Sequence, residues 1–179
     1  YTFYPPQVPP EYASTSSSSA SQVAVPLVDM IAALRDVAAE AGRPDLPLAV
    51  TEFGWPVWDP VDAQEQADWA ERSVLLGLSR GVGTWCAYTL LSRPGTTAED
   101  RFGMADGEDG TLLPYGQRFA DLSLRLAGLT EAAPLPLAAG QHGVALRFED
   151  GTLREVGWGV GQAELNGATM ALGGTPVGW

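Results

Sequence analysis

The spacing of hydrophobic residues changes along the chain, and each spacing predicts an element. Three segments carry apolar residues at helical spacing, namely residues 26–41, 63–80 and 117–126. Between them lie two short apolar runs, LPLAVTEF and VGTWCAYTLL, which are typical of strands buried on both faces. This alternation of helices with buried strands predicts an α/β fold with parallel strands.

The two ends of the chain follow other patterns. Residues 1–21 combine four prolines with the polar run STSSSSAS, which predicts a long loop. Residues 137–179 alternate over short segments, and Asp150-Gly151 is suited to the two-residue turn of a hairpin. The tail is therefore predicted to be a small antiparallel β unit that packs against the α/β part.

Composition excludes several classes of function. The 179 residues carry a net charge of −12 and no lysine, so no basic surface is expected for nucleic acid. No apolar run reaches the length of a membrane span. His142 and Cys86 have no partners at metal-ligand spacing, and no glycine-rich phosphate loop is present, so neither a metal nor a nucleotide cofactor is expected. Localisation stays open, because this composition suits both secreted and cytoplasmic proteins.

The candidate chemistry lies where the first buried run ends. Glu52 closes that strand, and the carboxyl ends of parallel strands are where α/β folds bind their ligands. Trp55 follows it, and Trp85 and Tyr88 come from the next strand. The residues alone leave two interpretations open: a sugar site, or a capping or ion-paired carboxylate beside tryptophans that only pack. Further along, Glu99 and Asp100 could reach the site from the loop after the second buried run, but the preferred interpretation is that they are solvated loop charges.

Longer stretches resemble a known enzyme group. VTEFGWP is similar to the strand-seven motif of clan A retaining glycoside hydrolases. The segments EQADWAERSVLLGLSRGVGTWCAYTLL and RFGMADGEDGTLLPYGQRFADL resemble the later barrel elements of families 39 and 5. The resemblance implies that residues 1–130 are the C-terminal part of a (β/α)8 TIM barrel, with about two parallel strands and flanking helices. Residues 137–179 would be a small accessory β domain.

The resemblance also implies roles for single residues. Glu52 would be the catalytic nucleophile, and Tyr1 would hydrogen-bond to it. Trp55 would line a sugar subsite. The second strand departs from the family's usual Trp-Tyr pair, since Ala87 precedes Tyr88 and Trp85 lies two residues earlier. Either Trp85 faces the barrel interior as a substitute, or this strand has lost its sugar platform.

A retaining mechanism needs a second carboxyl group, which clan A enzymes carry after an asparagine. The single asparagine, Asn166, lies in the tail before Gly167. We therefore expect the acid/base to lie on a missing N-terminal barrel segment, and the chain alone to be inactive. Its expected partner is a carbohydrate substrate. The alternative is a non-catalytic carbohydrate-binding or structural protein derived from such a barrel.

Overall fold

A computed structural model describes residues 2–3, 8–12 and 25–179. Its first layer is a parallel sheet of three strands in the order β1-β2-β3. These strands are β1 (Thr2–Phe3), β2 (Leu48–Phe53) and β3 (Val82–Ala87). The two longer strands lie inside the predicted apolar runs, whereas β1 lies in a predicted loop. That prediction was wrong for Thr2–Phe3, because two residues are too few to show the alternation of a strand.

Two helices pack with this sheet in one apolar core. They are α1 (Leu27–Glu40) and α2 (Ala63–Leu78). Helix α2 begins with a capping box, in which Asp62 accepts hydrogen bonds from two backbone N–H groups and the Glu65 side chain accepts one from the Asp62 N–H. Helix α2 also contacts α1, β3 and the elements that follow, and it is buried from Gln66 to Gly77. None of the helices in the described part of the chain has the length and apolar character of a membrane span.

The sheet has a covered face and an uncovered face. Val50 pairs with Trp85, and both pack in the helical core. The intervening residues are exposed: Ala49, Thr51, Thr84 and Cys86. Because successive side chains of a strand point to opposite faces, these four lie on the face opposite α1 and α2, which no helix of the described residues covers.

A long connection leads from β3 to the last helix. It contains a short 3-10 helix (Ala98–Arg101) and ends at α3 (Pro114–Arg125). Pro114 occupies the first turn of α3, where its missing N–H leaves no helical bond unmade. Helix α3 packs on α2, and Arg118 forms ion pairs with Asp68 and Glu71 of that helix.

The remaining residues form two antiparallel sheets. The strands are β4 (Leu129–Pro134), β5 (Gln141–Phe148), β6 (Leu153–Gly159), β7 (Gln162–Leu165) and β8 (Ala168–Ala171). Strands β4, β5 and β6 form one sheet and β7 and β8 the other. The turn between β5 and β6 contains Asp150 and Gly151 as predicted, and Gly151 has a φ of 84°. The sequence did not predict β4, which contains the loop-like pair Ala133-Pro134.

One carboxylate joins the helical part to this β unit. Glu11 pairs through both oxygens with Arg72 of α2, and it also accepts a hydrogen bond of 2.7 Å from the Trp158 indole of β6. The Glu11 side chain is only 2% exposed and that of Arg72 only 8%. A buried charge is tolerated when it is paired and hydrogen-bonded, as Glu11 is here.

Candidate active site

The carboxyl end of β2 places Glu52 through an irregularity in the sheet. Val50 pairs with Trp85 and Phe53 pairs with Ala87, so three steps along β2 match two along β3. The register therefore slips around Glu52, and such irregularities redirect side chains. Phe53 packs among the helices with no exposed surface. Glu52, the preceding residue, lies on the opposite and uncovered face, where it is half-buried.

Tyr88 brings a phenol to the same edge. Its backbone N–H donates a hydrogen bond of 2.8 Å to the Phe53 carbonyl, which fixes its position beside the end of β2. Its ring meets Phe102 edge to face, with ring centroids 5.5 Å apart. Its hydroxyl donates a hydrogen bond to a carboxylate oxygen of Glu99.

The electrostatics keep this phenol in its neutral form. The hydrogen bond to Glu99 is the main reason that the pKa of Tyr88 is raised, followed by desolvation and the charge of Glu99. The negative charge of Glu52 raises the pKa further, and Arg93 works against these effects. Tyr88 is therefore a hydrogen-bond donor at neutral pH, close enough to Glu52 for the carboxylate to influence its ionisation.

Gly54 allows the two strand ends to meet this closely. A Cβ atom at this position would overlap the Tyr88 carbonyl oxygen and lie 3.3 Å from a ring carbon of Phe102. The close contact between Gly54 and Tyr88 is therefore possible only because Gly54 has no side chain.

The structure does not bring Trp55 to this surface. Its side chain has no exposed area, and its indole N–H donates a hydrogen bond of 3.0 Å to the Val8 carbonyl. Its ring meets Trp69 of α2 edge to face, with centroids 5.9 Å apart. A buried ring presents no face to a sugar, so the prediction that Trp55 lines a subsite does not fit this structure.

Trp85 points towards the helices as well. Its ring meets Phe53 edge to face at 5.1 Å and lies against Gly77 of α2, where an added Cβ would overlap it. Of the two possibilities for this strand, the structure excludes a Trp85 that faces the uncovered side. Strand register explains the outcome, because Trp85 is paired with the core residue Val50.

The fifth predicted site residue, Tyr1, lies outside the described residues. The residue that follows it, Thr2, pairs with Glu52 in the parallel ladder between β1 and β2. The strand that begins after Tyr1 is therefore the direct neighbour of the candidate carboxylate.

The sequence predicts Glu99 to be a solvated loop charge that could reach the site. In the structure Glu99 is exposed, and its carboxylate accepts a hydrogen bond from the Tyr88 phenol. The adjacent Asp100 instead caps the 3-10 helix, where hydrogen bonds from the Thr97 side chain and N–H lower its pKa. The sequence carries a local signal for the turn that holds Glu99. Thr97 is followed three residues later by Asp100, which is a capping pattern, and Glu99 lies within the turn that this pattern orders.

The arrangement combines a half-buried carboxylate with a neutral phenol and a second carboxylate bound to that phenol. The Glu52 carboxylate can accept a proton or attack an electrophilic carbon, and all three side chains can bind hydroxyl groups of a ligand. Within the described residues, no set of three or more His, Cys, Asp or Glu side chains is placed to hold a metal ion.

Comparison with known proteins concerns the fold. No family model and no curated protein sequence matches the chain. Its structure is similar to that of a family 39 glycoside hydrolase from the gut symbiont Bacteroides cellulosilyticus WH2, with a TM-score of 0.71 and 17% sequence identity. The match covers 98% of this chain and 43% of that protein, so the chain spans less than half of its length. At this level of identity the similarity shows a shared fold alone.

Proposed function

We propose that this chain is the C-terminal part of a retaining glycosidase that hydrolyses O-glycosidic bonds of oligo- or polysaccharides, with Glu52 as its nucleophile. One observation carries the proposal. Glu52 ends the central parallel strand on the uncovered face of the sheet, beside Tyr88 from the next strand. This is the edge at which α/β enzymes place catalytic groups.

The uncovered face supports a (β/α)8 barrel as the complete architecture. Its exposed residues lie within the two longer parallel strands, β2 and β3. In a barrel this face would be buried in the interior, where layers of side chains from the strands pack together. In this proposal residues 1–130 belong to the barrel, and residues 137–179 are an accessory β domain.

The proposed reaction has two displacement steps. An oxygen of the ionised Glu52 attacks the anomeric carbon while the bond to the leaving oxygen breaks, and a carboxylic acid protonates that oxygen. Water then attacks the anomeric carbon while its bond to Glu52 breaks and the carboxylate is released, and the same acid residue, now a base, removes the water's proton. That residue lies on the barrel segment outside this chain, about 5–5.5 Å from Glu52. No metal or nucleotide takes part.

The side chains around Glu52 have supporting roles. The hydroxyl of Tyr88 binds Glu99 and its ring packs against Phe102, so these two contacts hold the ring beside the nucleophile. Tyr1 is proposed to donate a hydrogen bond to Glu52 on the basis of the resemblance to clan A enzymes, in which a strand-six tyrosine does so. A donor there favours the ionised carboxylate that the attack requires.

The decisive experiment is Glu52→Gln in the full-length protein, assayed with an aryl glycoside. The amide cannot form the glycosyl-enzyme, so we expect a loss of at least about a thousandfold in kcat with an unchanged fold. Glu131→Gln is the matched control, because Glu131 is 66% exposed on β4. Near-wild-type turnover by Glu52→Gln would exclude Glu52 as the nucleophile.

A second candidate is a carbohydrate-binding protein without catalysis. It is favoured by one observation, namely that Trp55 and Trp85 both pack in the core and leave the strand ends without these two sugar platforms. A mechanism-based 2-fluoro glycosyl fluoride distinguishes the two functions by mass spectrometry of the full-length protein. A label on Glu52 supports the enzyme, whereas saccharide binding without any label supports the binding protein.

A further inference from the structure

The loops beside the candidate site carry an exposed aromatic ring that the proposed mechanism does not use. Trp58, in the connection after β2, keeps 36% of its surface exposed. The guanidinium of Arg101 lies over this ring, 5.2 Å from its centroid. Arg101 is itself exposed and, among the described residues, forms no ion pair and donates no side-chain hydrogen bond.

The backbone beneath this pair is held from several sides. The N–H of Val57 donates a hydrogen bond of 3.0 Å to the Arg101 carbonyl, and the Trp58 carbonyl accepts one of 2.7 Å from Val61. Below them the buried side chain of Gln66 donates to the carbonyls of Trp55 and Arg101, at 2.6 and 3.3 Å. A loop whose backbone is already ordered loses little conformational freedom when a ligand binds.

This pair is continuous with the candidate site. The short helix Ala98–Arg101 carries both Glu99, which accepts the Tyr88 phenol, and Arg101. The next residue, Phe102, contacts the Tyr88 ring. The turn that binds Tyr88 beside Glu52 therefore also carries the Arg101 guanidinium that lies over Trp58.

We propose that Trp58 and Arg101 form an outer sugar-binding platform, so that the substrate is a neutral oligosaccharide rather than a single sugar on a small leaving group. The inference rests on the proposed function and deepens it. The apolar face of a pyranose ring packs on the exposed part of the indole, and its hydroxyl groups accept hydrogen bonds from the unpaired guanidinium. A neutral sugar fits best, because the carboxylates of Glu52, Glu99 and Asp100 lie at the same edge as the guanidinium groups of Arg93 and Arg101, so charges of both signs meet there.

The test measures binding rather than turnover. In the full-length protein with Glu52→Gln, the affinities for di- and hexasaccharides of the cello-, xylo- and manno- series are measured by calorimetry. We expect the hexasaccharide of one series to bind more tightly than its disaccharide. Trp58→Ala should weaken hexasaccharide binding about tenfold and leave disaccharide binding within about twofold. Arg101→Ala should act in the same direction, and Trp58→Phe should retain part of the effect.

The β unit offers a matched control for the variants. The guanidinium of Arg154 lies 4.9 Å above the ring centroid of Phe148, so Arg154→Ala removes the same kind of contact elsewhere. The platform is excluded if Trp58→Ala weakens binding of the disaccharide and the hexasaccharide equally, or weakens neither. It is also excluded if Arg154→Ala has the same effect as Trp58→Ala, or if the protein binds no oligosaccharide of any series.

Failure of this inference and failure of the proposed enzyme remain separable. Hydrolysis and Glu52 labelling without any length-dependent effect of Trp58→Ala would overturn the platform alone. Length-dependent binding that requires Trp58, in a wild-type protein that neither hydrolyses nor labels, would keep the platform and overturn the enzyme.

Discussion

Tyr88 and Glu99 are joined by a hydrogen bond from phenol to carboxylate at the edge of the sheet where Glu52 lies. The bond orients the Tyr88 ring against Phe102 and ties the connection after β3 to the strand end. A carboxylate acceptor stabilises the protonated phenol and opposes its ionisation, so the pair has a measurable acid–base signature.

We expect Glu99→Gln to lower the pKa of Tyr88 towards that of an ordinary tyrosine, because the variant removes both the carboxylate acceptor and its charge. Since the folded-state pKa is raised, Tyr88 contributes stability that is present below the ordinary tyrosine pKa of 10.0 and is lost as the pH rises through the folded value. Ultraviolet titration of phenolate absorbance measures the shift, and the difference from Tyr88→Phe isolates this one of the five tyrosines. An unchanged titration in Glu99→Gln would contradict the pairing, and Glu108→Gln serves as the control.

Gly54, which follows the end of β2, should tolerate no side chain, whereas Gly83 in β3 should tolerate one. We expect Gly54→Ala to cost about 1–3 kcal/mol of unfolding free energy, because its methyl group would overlap the Tyr88 carbonyl oxygen. Gly83→Ala is the matched variant, since an added Cβ there meets no atom within 4 Å. Urea unfolding of both variants measures the difference. Equal stability of the two would mean that the strand ends do not meet as described.

Hydrophobic spacing was sufficient to predict the regular elements that bury many side chains. The two long parallel strands and the three helices each bury a recognisable set of apolar residues, so their types could be predicted. The hairpin at Asp150-Gly151 was likewise predicted from its turn residues. Strands β1 and β4 were missed, because Thr2–Phe3 is too short for a pattern and Leu129–Pro134 includes a proline and small residues.

The direction in which each aromatic side chain points could not be predicted in the same way. Trp55, Trp85 and Tyr88 all lie near the end of a strand, and from sequence each is a plausible sugar platform. Register decides between them: Trp85 pairs with buried Val50, whereas Tyr88 follows the end of β3 and is partly exposed. Pairing partners come from tertiary structure, and a single slip reverses the face that a side chain occupies.

Glu11 should contribute far more stability than an exposed ion pair of similar composition. Replacing it with alanine leaves the buried Arg72 guanidinium without its carboxylate and the Trp158 indole without its acceptor. We expect Glu11→Ala to cost about 3–5 kcal/mol. The control is Glu131→Ala, because the pair of Glu131 with Arg147 spans 3.4 Å between side chains that are 66% and 55% exposed. That variant should cost less than about 1 kcal/mol.

Chemical unfolding of the two variants tests this difference, and the fluorescence of Trp158 reports whether the β unit separates first. If Glu11→Ala and Glu131→Ala lose similar amounts of stability, Glu11 does not join the helical part to the β unit.

Glu71 of α2 lies in an ion cluster with Arg118 and Arg125 of α3. Its contribution to the unfolding free energy should change with pH in the opposite direction from that of a typical carboxylate. The Glu71 side chain is 1% exposed, and desolvation raises its pKa although the hydrogen bond and charge of Arg118 lower it. In turn, burial opposes the charge of Arg118, but its contacts with Glu71 outweigh that effect and raise its pKa. One oxygen of Glu71 accepts no hydrogen bond within the described residues, and Arg125 lies 3.8 Å from it.

Because the folded-state pKa of Glu71 is raised, the protonated form is favoured by folding. Its contribution to stability is fully present below the unfolded value of 4.5 and is lost as the pH rises through the folded value. We therefore expect the unfolding free energy of the wild type, measured relative to Glu71→Gln, to fall as the pH rises above the unfolded value of 4.5 and to level off above the folded-state pKa. Glu40→Gln, at the exposed end of α1, should show no such trend. A relative stability that instead rises with pH would mean that Arg118 and Arg125 more than compensate for the burial of this carboxylate.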